Sequence, residues 1–457
     1  MPDSNFTWGV GTSAYQIEGA RHADGKDPSI WDHFADTGRM PESGDVACNH
    51  YHRWREDVAL MADMGIDAYR FSIAWTRVVH DGDGTPNTAG LDFYSRLVDA
   101  LLATGITPWV TLYHWDLPLV IQERGGWPER STVGAFEHYA EVVGRSLGDR
   151  VHHWITHNEP WVAAFLGHFT GDFAPGLSDG GTALRAAHHI LLSHGRAVDV
   201  LRSTSPGCEV GIALDCRPST PASDDPADVA ARHHFDGFRN RWFFDPVFGT
   251  GYPDDMVEAH RARGRIPGAT GDPIPWDLDG DLHAIAAPID FLGLNYYTSL
   301  VRGAGQEESE ESGVAPGPDV PEGYTEMGWP ITPDAFAEYL VHVHETYRPA
   351  AMVITENGAS YSDGPDPDGT IDDQRRIAYL DAHVDAVARA AAAGVPMTGY
   401  FVWSLLDNLE WTSGYAQRFG LVWVDHATGE RIPKASARWY RDRIAAARVS
   451  ASSRGPG

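Results

Sequence analysis

Short apolar segments that end in polar residues alternate with longer amphipathic segments along most of the chain. A short apolar run that stops abruptly is typical of a strand buried in a parallel sheet, whereas apolar positions three or four residues apart are typical of a helix. The pattern predicts eight strands, at residues 6–10, 68–75, 107–114, 153–160, 209–214, 290–297, 353–358 and 398–405.

Helical patterns follow the strands, and several of them stop at a glycine, a common helix terminator. They are predicted at residues 51–64, 91–103, 133–147, 184–201, 333–347, 372–393 and 435–446. Prolines and aspartates interrupt the pattern between residues 217 and 288. Residues 303–328 are rich in Gly, Pro, Glu and Ser, which predicts a long surface loop.

Eight strands that each precede helical material are what a (β/α)8 barrel of the α/β class requires. A doubly wound sheet is the rival architecture, but it usually has fewer strands. Its dinucleotide-binding forms also carry a glycine fingerprint, which this sequence lacks after its first strand. We therefore predict a TIM barrel with extended βα loops, forming a single domain at residues 1–448 with a flexible C-terminal tail at 449–457.

Polar and aromatic residues lie at the predicted strand ends, which form the functional face of such a barrel. Amides and carboxylates bind vicinal hydroxyls, and aromatic rings cover the C–H face of a sugar ring. The set therefore indicates a polyhydroxylated sugar as the ligand. It consists of Gln16, Arg70, His114, Trp115, Asn158, Glu159, Asn295, Tyr297, Glu356, Asn357 and Trp403.

Two carboxylates in this set, Glu159 and Glu356, end different strands, so their side chains are able to face each other across the barrel mouth. Facing carboxylates are the minimal apparatus for glycoside hydrolysis, because one donates a proton to the leaving oxygen while the other attacks. Their pKa values must differ, and Arg70 is placed to keep Glu356 charged. Each glutamate alone is better explained as a helix cap or an ion-pair partner. Two asparagine–glutamate pairs that both end strands favour catalysis.

The composition narrows the range of partners. Of the 457 residues, 42% are hydrophobic, and 64 acidic residues against 35 basic ones give a net charge of −29. Nucleic acids and anionic membranes require a basic surface, so we expect neither as a partner. No apolar run in the sequence approaches the length that spans a membrane.

Cysteine and histidine usage indicates neither disulfides nor a metal site. The three cysteines, Cys48, Cys208 and Cys216, form no disulfide framework and lack zinc-site spacing. The N-terminus has no basic and apolar signal region, so we expect a soluble cytoplasmic protein without cofactors. Structural or surface roles are expected for the histidines of the predicted helices and their flanks: His50, His52, His188, His189, His194, His233 and His234.

Five segments of the chain resemble the signatures of the family 1 glycoside hydrolases, the β-glucosidase family. Residues 6–19 resemble the N-terminal signature, 156–160 the acid/base motif and 353–358 the active-site motif. Residues 401–411 and 418–421 complete the set. The segments occur together in the order that the family has, and the resemblance spans nearly the whole chain.

The resemblance implies a retaining mechanism through a covalent glycosyl-enzyme intermediate, with Glu356 as the nucleophile and Glu159 as the general acid/base. Arg70 and Tyr297 would steady Glu356, and Glu410 would bind the C4 and C6 hydroxyl side of the sugar. The other residues expected to hold the non-reducing sugar are Gln16, His114, Trp115, Asn158, Asn295, Trp403, Trp411 and Phe419. The aglycone entrance would be lined by Trp161, Phe173 and Trp329.

The implied substrates are β-glucosides or short β-linked oligosaccharides, with β-galactosides and β-fucosides also accepted. Glu410 would repel a phosphate, which argues against the 6-phospho-β-glycosidase branch. Glu159 distinguishes the chain from the plant thioglucosidases, which lack this carboxylate. At the rim, Phe173 stands where the family often has histidine and Asp215 where it often has asparagine.

The sequence leaves open three questions, which concern an alternative function, a variant of the reaction and the oligomeric state. The alternative function is a catalytically inactive barrel that binds glycans or a partner protein, and the presence of both glutamates disfavours it. Transglycosylation is a variant of the same chemistry. The protein is expected to act as a monomer or as a homo-oligomer.

Overall fold

The computed structural model describes residues 6–452, and its central feature is a closed barrel of eight parallel strands. Neighbours in the barrel follow chain order, and the barrel closes where the first strand pairs with the last, with Trp8 opposite Tyr400. The predicted (β/α)8 barrel is confirmed. Its strands are Thr7–Gly11, Ala68–Ser72, Thr107–Tyr113, His153–Asn158, Glu209–Cys216, Phe291–Tyr296, Met352–Asn357 and Met397–Trp403.

The helices occupy the connections between the strands. The long ones are His50–Asp63, Thr88–Ala103, Ser131–Leu147, Gly180–Thr204, Pro333–Tyr347, Gln374–Ala392 and Ala435–Ser452. Shorter ones are Ala14–Ile17, Ala23–Gly25, Ile30–Asp36, Trp75–Val78, Leu119–Glu123, Val162–Thr170, Pro226–Asp236, Gly237–Arg241, Trp242–Val247, Asp254–Ala262, Asp281–Ile285 and Trp411–Ser413. Most of the shorter helices lie in the long βα connections, which account for the size of the chain.

The helix Thr88–Ala103 illustrates how the sequence forms these elements. The Asn87 side chain caps its first turn by accepting a hydrogen bond from the backbone N–H of Ala89. Phe93, Leu97 and Leu101 recur at helical spacing and are buried, so one face packs on the core. The amphipathic pattern is therefore sufficient to place this helix against the barrel.

Seven strands each contribute one apolar side chain to a cluster inside the barrel, and the remaining strand contributes Gly9. A Cβ atom on Gly9 would collide with the ring of Phe401, so only glycine fits at this position. Because side chains fill this layer, a ligand has access only to the ends of the strands. The cluster consists of Ala68, Trp109, Ile155, Ala213, Phe291, Val353 and Phe401.

Several segments differ from their predicted form. The strand predicted at 68–75 ends at Ser72, and its predicted last residue, Trp75, instead begins a short helix, Trp75–Val78. The last helix continues to Ser452, so the first residues of the predicted tail are helical. Residues 453–457 of that tail lie outside the described residues. No helix within residues 6–452 is long and apolar enough to cross a bilayer.

Two small sheets lie outside the barrel. Ser219–Pro221 pairs in parallel with Leu300–Arg302, and Val422–Val424 pairs antiparallel with Arg431–Pro433. The first sheet ties the irregular segment after the fifth barrel strand to the loop that begins at residue 303. These two segments form one side of the cavity described next.

Candidate active site

A cavity of about 310 Å³ opens at the carboxyl ends of the barrel strands, where most of the predicted site residues converge. Its volume is within the range of small-molecule sites. The predicted residues that line it are His114, Trp115, Glu159, Trp161, Phe173, Asn295, Tyr297, Trp329, Glu356, Trp403, Glu410, Trp411 and Phe419.

Asn357 of the predicted set is buried and not part of the lining, and its Nδ2 donates to the carbonyl of Tyr296 at 2.7 Å. The other remaining residues, Gln16, Arg70 and Asn158, lie directly behind this lining and are buried. Gln16 donates from Nε2 to Glu410 Oε2 at 3.3 Å, which ties it to a residue of the lining. In these positions the side chains orient the lining residues. Direct contact of Gln16 or Asn158 with a sugar stays a prediction.

Two irregularities in strand pairing turn the catalytic candidates toward the cavity. Ile155 lies opposite Gly211, but Asn158 lies opposite Ala213, so the fourth strand contains one extra residue. The seventh strand likewise contains an extra residue just before Glu356. Such bulges change the direction of a side chain. Glu159 then adopts a left-handed backbone conformation, with φ at 48°, which is uncommon for a residue other than glycine.

Both carboxylate oxygens of Glu356 accept hydrogen bonds, one from a buried arginine and one from a half-buried tyrosine. Arg70 Nη1 donates to Oε1 at 2.5 Å, and the Tyr297 hydroxyl donates to Oε2 at 2.7 Å. Arg70 is itself fixed, because its Nη2 donates to Asn158 Oδ1 at 2.5 Å. A cation and a hydroxyl therefore hold this carboxylate in one orientation and favour its charged form.

Glu159 is bound by an amide and by no cation that donates to it among the described residues. Asn295 Nδ2 donates to Glu159 Oε1 at 2.7 Å and to Asn158 Oδ1 at 2.9 Å. The Thr355 hydroxyl donates to Asn295 Oδ1 at 2.6 Å, which fixes the orientation of that amide. Since Asn158 also accepts from Arg70, one network joins the surroundings of both glutamates.

The two glutamates are electrostatically unequal. Burial raises the pKa of Glu159 well above its ordinary value, and the negative charges of Glu356 and Asp215 raise it further. Burial also raises the pKa of Glu356, but Arg70 and the hydrogen bond from Tyr297 oppose this effect. The surroundings therefore favour a proton on Glu159 and a charge on Glu356, which is the inequality that acid-assisted displacement requires.

One part of the cavity, called the inner end, is lined by His114, Trp403, Glu410 and Trp411. It combines hydrogen-bonding groups with aromatic faces. The ring of His114 stacks on Trp403 with centroids 5.7 Å apart, and its Nε2 accepts from Asn158 Nδ2 at 3.2 Å. Burial lowers the pKa of His114, so the ring is neutral. Burial and the charge of Glu356 raise the pKa of Glu410 to about 8. These groups suit a neutral ligand that is rich in hydroxyls.

The other part of the cavity, called the outer end, is lined by the predicted entrance residues Trp161, Phe173 and Trp329. Trp329 lies 5.5 Å from Tyr297 and 6.4 Å from Phe419, measured between ring centroids. On another side Phe173 packs 5.7 Å from Trp115. Aromatic surface at the mouth of a site binds the apolar faces of sugars and aryl groups.

Four charged residues that line the outer end are not among the predicted site residues. Asp215 is the penultimate residue of the fifth strand, and Arg217 follows that strand. Arg239 comes from the segment Gly237–Arg241, and Glu310 comes from the loop 303–328. Arg239 and Glu310 lie in segments without a regular apolar pattern, so no periodic signal marks them. The unusual aspartate at position 215 is the one signal in the sequence that points here.

Three histidines of the predicted helices or their flanks, His50, His188 and His194, are buried and contact polar side chains of the fold. His50 Nδ1 lies 2.7 Å from Asp57 Oδ2, and His194 Nδ1 lies 2.7 Å from the Thr156 hydroxyl. His188 Nε2 lies 3.2 Å from Asp281 Oδ2, a carboxylate that also accepts two hydrogen bonds from Arg130. The described residues that line the cavity do not include these histidines.

A TIM barrel that presents two unequal, buried carboxylates among amides and aromatic rings defines a glycoside hydrolase. The sequence model of the family described as Glycosyl hydrolase family 1 matches residues 2–449. The chain belongs to this family, and it is therefore an enzyme that cleaves glycosidic bonds.

Individual relatives agree with this assignment. Beta-glucosidase A of Thermotoga maritima is 44% identical over 440 residues, which cover 95% of this chain and 96% of the relative. A bifunctional beta-D-glucosidase/beta-D-fucosidase of Bifidobacterium breve is 44% identical, with 96% and 97% of the two chains covered. The solved structure of the family 1 β-glucosidase from Thermotoga maritima has a TM-score of 0.89 at 43% identity, with coverage of 97% and 98%.

Proposed function

We propose that the chain is a retaining β-glucosidase that releases terminal non-reducing β-D-glucosyl residues. The observation that carries the proposal is the unequal pair of carboxylates, with Glu356 held by Arg70 and Tyr297, and Glu159 bound by Asn295. Family membership supports the same mechanism.

In the first step Glu356 attacks the anomeric carbon of the glucosyl residue, and the bond to the leaving oxygen breaks. Glu159 gives its proton to that oxygen, so the aglycone departs as a neutral alcohol. Glu356 and the sugar are then joined by an ester bond. Because the hydrogen bonds from Arg70 and Tyr297 favour the carboxylate, they also stabilise it as a leaving group in the next step.

In the second step Glu159 is ionised and removes a proton from a water molecule, which attacks the anomeric carbon from the side that the aglycone left. The ester bond to Glu356 breaks, and glucose leaves with its original anomeric configuration. Another alcohol in place of water would give transglycosylation by the same route. The proton that Glu159 gains here restores the enzyme for the next cycle.

We infer that the substrates are β-glucosides and short β-linked oligosaccharides, with β-galactosides and β-fucosides accepted as well. The hydrogen-bonding groups Gln16 and Glu410 and the aromatic rings Trp403 and Trp411 at the inner end support a sugar there. The Bifidobacterium relative, named for both glucosidase and fucosidase activity, supports the wider range.

We also propose that the enzyme acts in the cytoplasm, in the degradation of β-linked oligosaccharides, as one catalytic domain. All three cysteines are unpaired, and two of them are buried, which supports a reducing compartment. Both a monomer and a homo-oligomer are compatible with this function.

The test is hydrolysis of aryl β-glucosides by Glu356→Ala and Glu159→Ala, with Glu338→Ala, an exposed helix residue, as the control. We expect Glu356→Ala to lose at least about 10⁴-fold in kcat. For Glu159→Ala we expect a loss of about 10²–10⁴-fold with poor leaving groups. Added azide should give the α-glucosyl azide with Glu356→Ala and the β-glucosyl azide with Glu159→Ala. Full activity in either variant, or the opposite anomers, would contradict the assigned roles.

A further inference from the structure

The outer wall of the cavity contains a row of four charges of alternating sign. Arg239 Nη1 contacts the carboxylate of Asp215 directly, and Arg239 Nε lies 3.2 Å from Glu310 Oε1. Arg217 Nη1 ends the row 2.8 Å from Glu310 Oε2. The guanidinium of Arg239 also lies over the ring of Trp161 at 3.9 Å, which fixes its plane. Each charge in the row therefore has a neighbour of opposite sign.

Asp215 is the member of this row that adjoins the catalytic pair. The backbone N–H of Glu159 donates to the carbonyl of Ala213 at 2.8 Å, two residues before Asp215 on the same strand. In the sheet Asp215 lies opposite Asn295, the residue that donates to Glu159. Asp215 is buried and lines the cavity. It is thus a further carboxylate in the site, on the flank of Glu159, and the two displacement steps do not use it.

We propose that Asp215, held in place by Arg239, is a positioning residue whose negative charge keeps Glu159 protonated for departure of the aglycone. The proposal rests on the proposed role of Glu159 as the general acid. Asparagine at this position would keep the shape of the side chain and remove its charge. The aspartate therefore adjusts the pH range of the reaction in this chain.

The charges around Glu159 determine the sign of the effect. Burial and the negative charges of Glu356 and Asp215 raise the pKa of Glu159, and Arg239 lowers it. Arg217, Tyr297 and Cys216 also interact with Glu159 electrostatically. Asp215 itself is faced by Arg239, Arg217 and Glu310.

Removal of Asp215 and removal of Arg239 should therefore shift the pKa of Glu159 in opposite directions. Asp215→Asn removes a negative charge and leaves Arg239 less compensated, so Glu159 loses its proton at lower pH. Arg239→Gln removes a positive charge and leaves Asp215 uncompensated, so Glu159 keeps its proton to higher pH. A role in folding alone predicts a loss of activity in both variants and no such opposition.

The experiment measures kcat/KM against pH for wild type, Asp215→Asn, Arg239→Gln and the double variant. The basic limb of this profile reports the acid in the free enzyme. We expect the limb to move about one pH unit or more to lower pH in Asp215→Asn, to move to higher pH in Arg239→Gln, and to return toward wild type in the double variant. Phenyl β-glucoside, which needs a proton on its leaving oxygen, should lose more activity above the shifted limb than 2,4-dinitrophenyl β-glucoside.

Failure of this inference is distinguishable from failure of the proposed function. If wild type hydrolyses both glucosides and the limb of Asp215→Asn stays in place, Asp215 has no such role. If wild type hydrolyses neither, the proposed function fails. The asparagine variant keeps the shape and volume of the side chain, so it is the decisive one should Arg239→Gln fail to fold.

Discussion

The two ends of the cavity are built on different physical principles. The inner end presents polar groups that are neutral or half-buried and whose hydrogen-bonding capacity is not fully used. Nδ1 of His114 has no hydrogen-bond partner among the described residues. The Glu410 carboxyl accepts one long hydrogen bond, from Gln16 at 3.3 Å. The outer end consists of charges that already neutralise one another, Asp215 with Arg239 and Arg217 with Glu310. One end is open to a ligand's hydroxyls, and the other is already paired.

This difference indicates that one end of the cavity serves to recognise the sugar and the other to adjust release of the aglycone. Unused hydrogen-bonding capacity in a buried site gives a large energy difference between a ligand that supplies partners and one that does not. Charges that are paired with each other offer less to a ligand but produce a fixed electric field nearby. The inner end should therefore determine which sugar is bound. The outer end should determine which aglycone departs and at what pH.

The largest effect should follow from Glu410→Ala, which removes the ionisable hydrogen-bonding group of the inner end. We expect kcat/KM for a β-glucoside to fall about 10–100-fold, because the variant loses two hydrogen bonds to the sugar that contribute about 0.5–1.5 kcal/mol each. A β-fucoside lacks the 6-hydroxyl, so its kcat/KM should fall less. The measurement is the glucoside-to-fucoside ratio of kcat/KM in wild type and variant, with Glu338→Ala as the control.

An unchanged ratio would show that Glu410 does not contact the 6-hydroxyl side of the sugar, and the contrast between the two ends would lose its main support. Glu410→Gln sharpens the test, since it keeps the shape and some hydrogen bonds but removes the carboxyl group. It should lie between wild type and Glu410→Ala.

The sequence predicts the inner end better than the outer end, for reasons that the structure makes clear. A buried barrel strand is an apolar run, so a carboxylate at its end, such as Glu159 or Glu356, is visible against it. The bulges before Asn158 and Glu356 leave no such signal, because one extra residue changes direction without changing composition. The strand order and the two carboxylates at the strand ends were therefore predictable, whereas the register was not.

Arg239 and Glu310 were not predictable, since each reaches the site from an irregular segment. Position along the chain says little about where such a residue lies, because long-range contacts alone bring Gly237–Arg241 and the loop 303–328 to the fifth strand. In the sequence Asp215 is marked only by being an unusual residue at its position in the family. Its consequence for Glu159 depends on a partner that the sequence does not reveal.

A smaller effect should follow from Trp329→Ala at the outer end. The ring contacts Tyr297 and Phe419, and Arg217 lies over it at 5.2 Å, so its loss opens the aglycone side. These contacts do not include His114, Trp403, Glu410 or Trp411. We expect KM for aryl β-glucosides and short oligosaccharides to rise about 10-fold, in line with the contribution of one buried aromatic contact. Inhibition by glucose, which occupies the inner end alone, should not change.

Trp276, a half-buried tryptophan that does not line the cavity, provides the matched control as Trp276→Ala. If Trp329→Ala weakened glucose binding as strongly as aglycone binding, the two ends would not be independent. Steady-state kinetics with aglycones of increasing length, together with glucose inhibition constants, separate the two outcomes.

The smallest effect should follow from Glu310→Gln, which removes the charge shared by Arg217 and Arg239. The Glu310 side chain is 25% exposed, so solvent screens its interactions, and such an ion pair contributes less than about 1 kcal/mol to stability. We expect a change of a few-fold at most in kcat/KM for an oligosaccharide. For 2,4-dinitrophenyl β-glucoside we expect no change.

Hydrogen exchange of the loop 303–328 reports whether Glu310 fastens that loop to the cavity wall, because a weaker tie increases local opening. Faster exchange in Glu310→Gln with nearly unchanged kinetics would place Glu310 in the wall and leave Asp215 as the charge that acts on Glu159. A shift in the basic limb as large as that of Asp215→Asn would instead show that the whole row of charges acts on Glu159 as one unit.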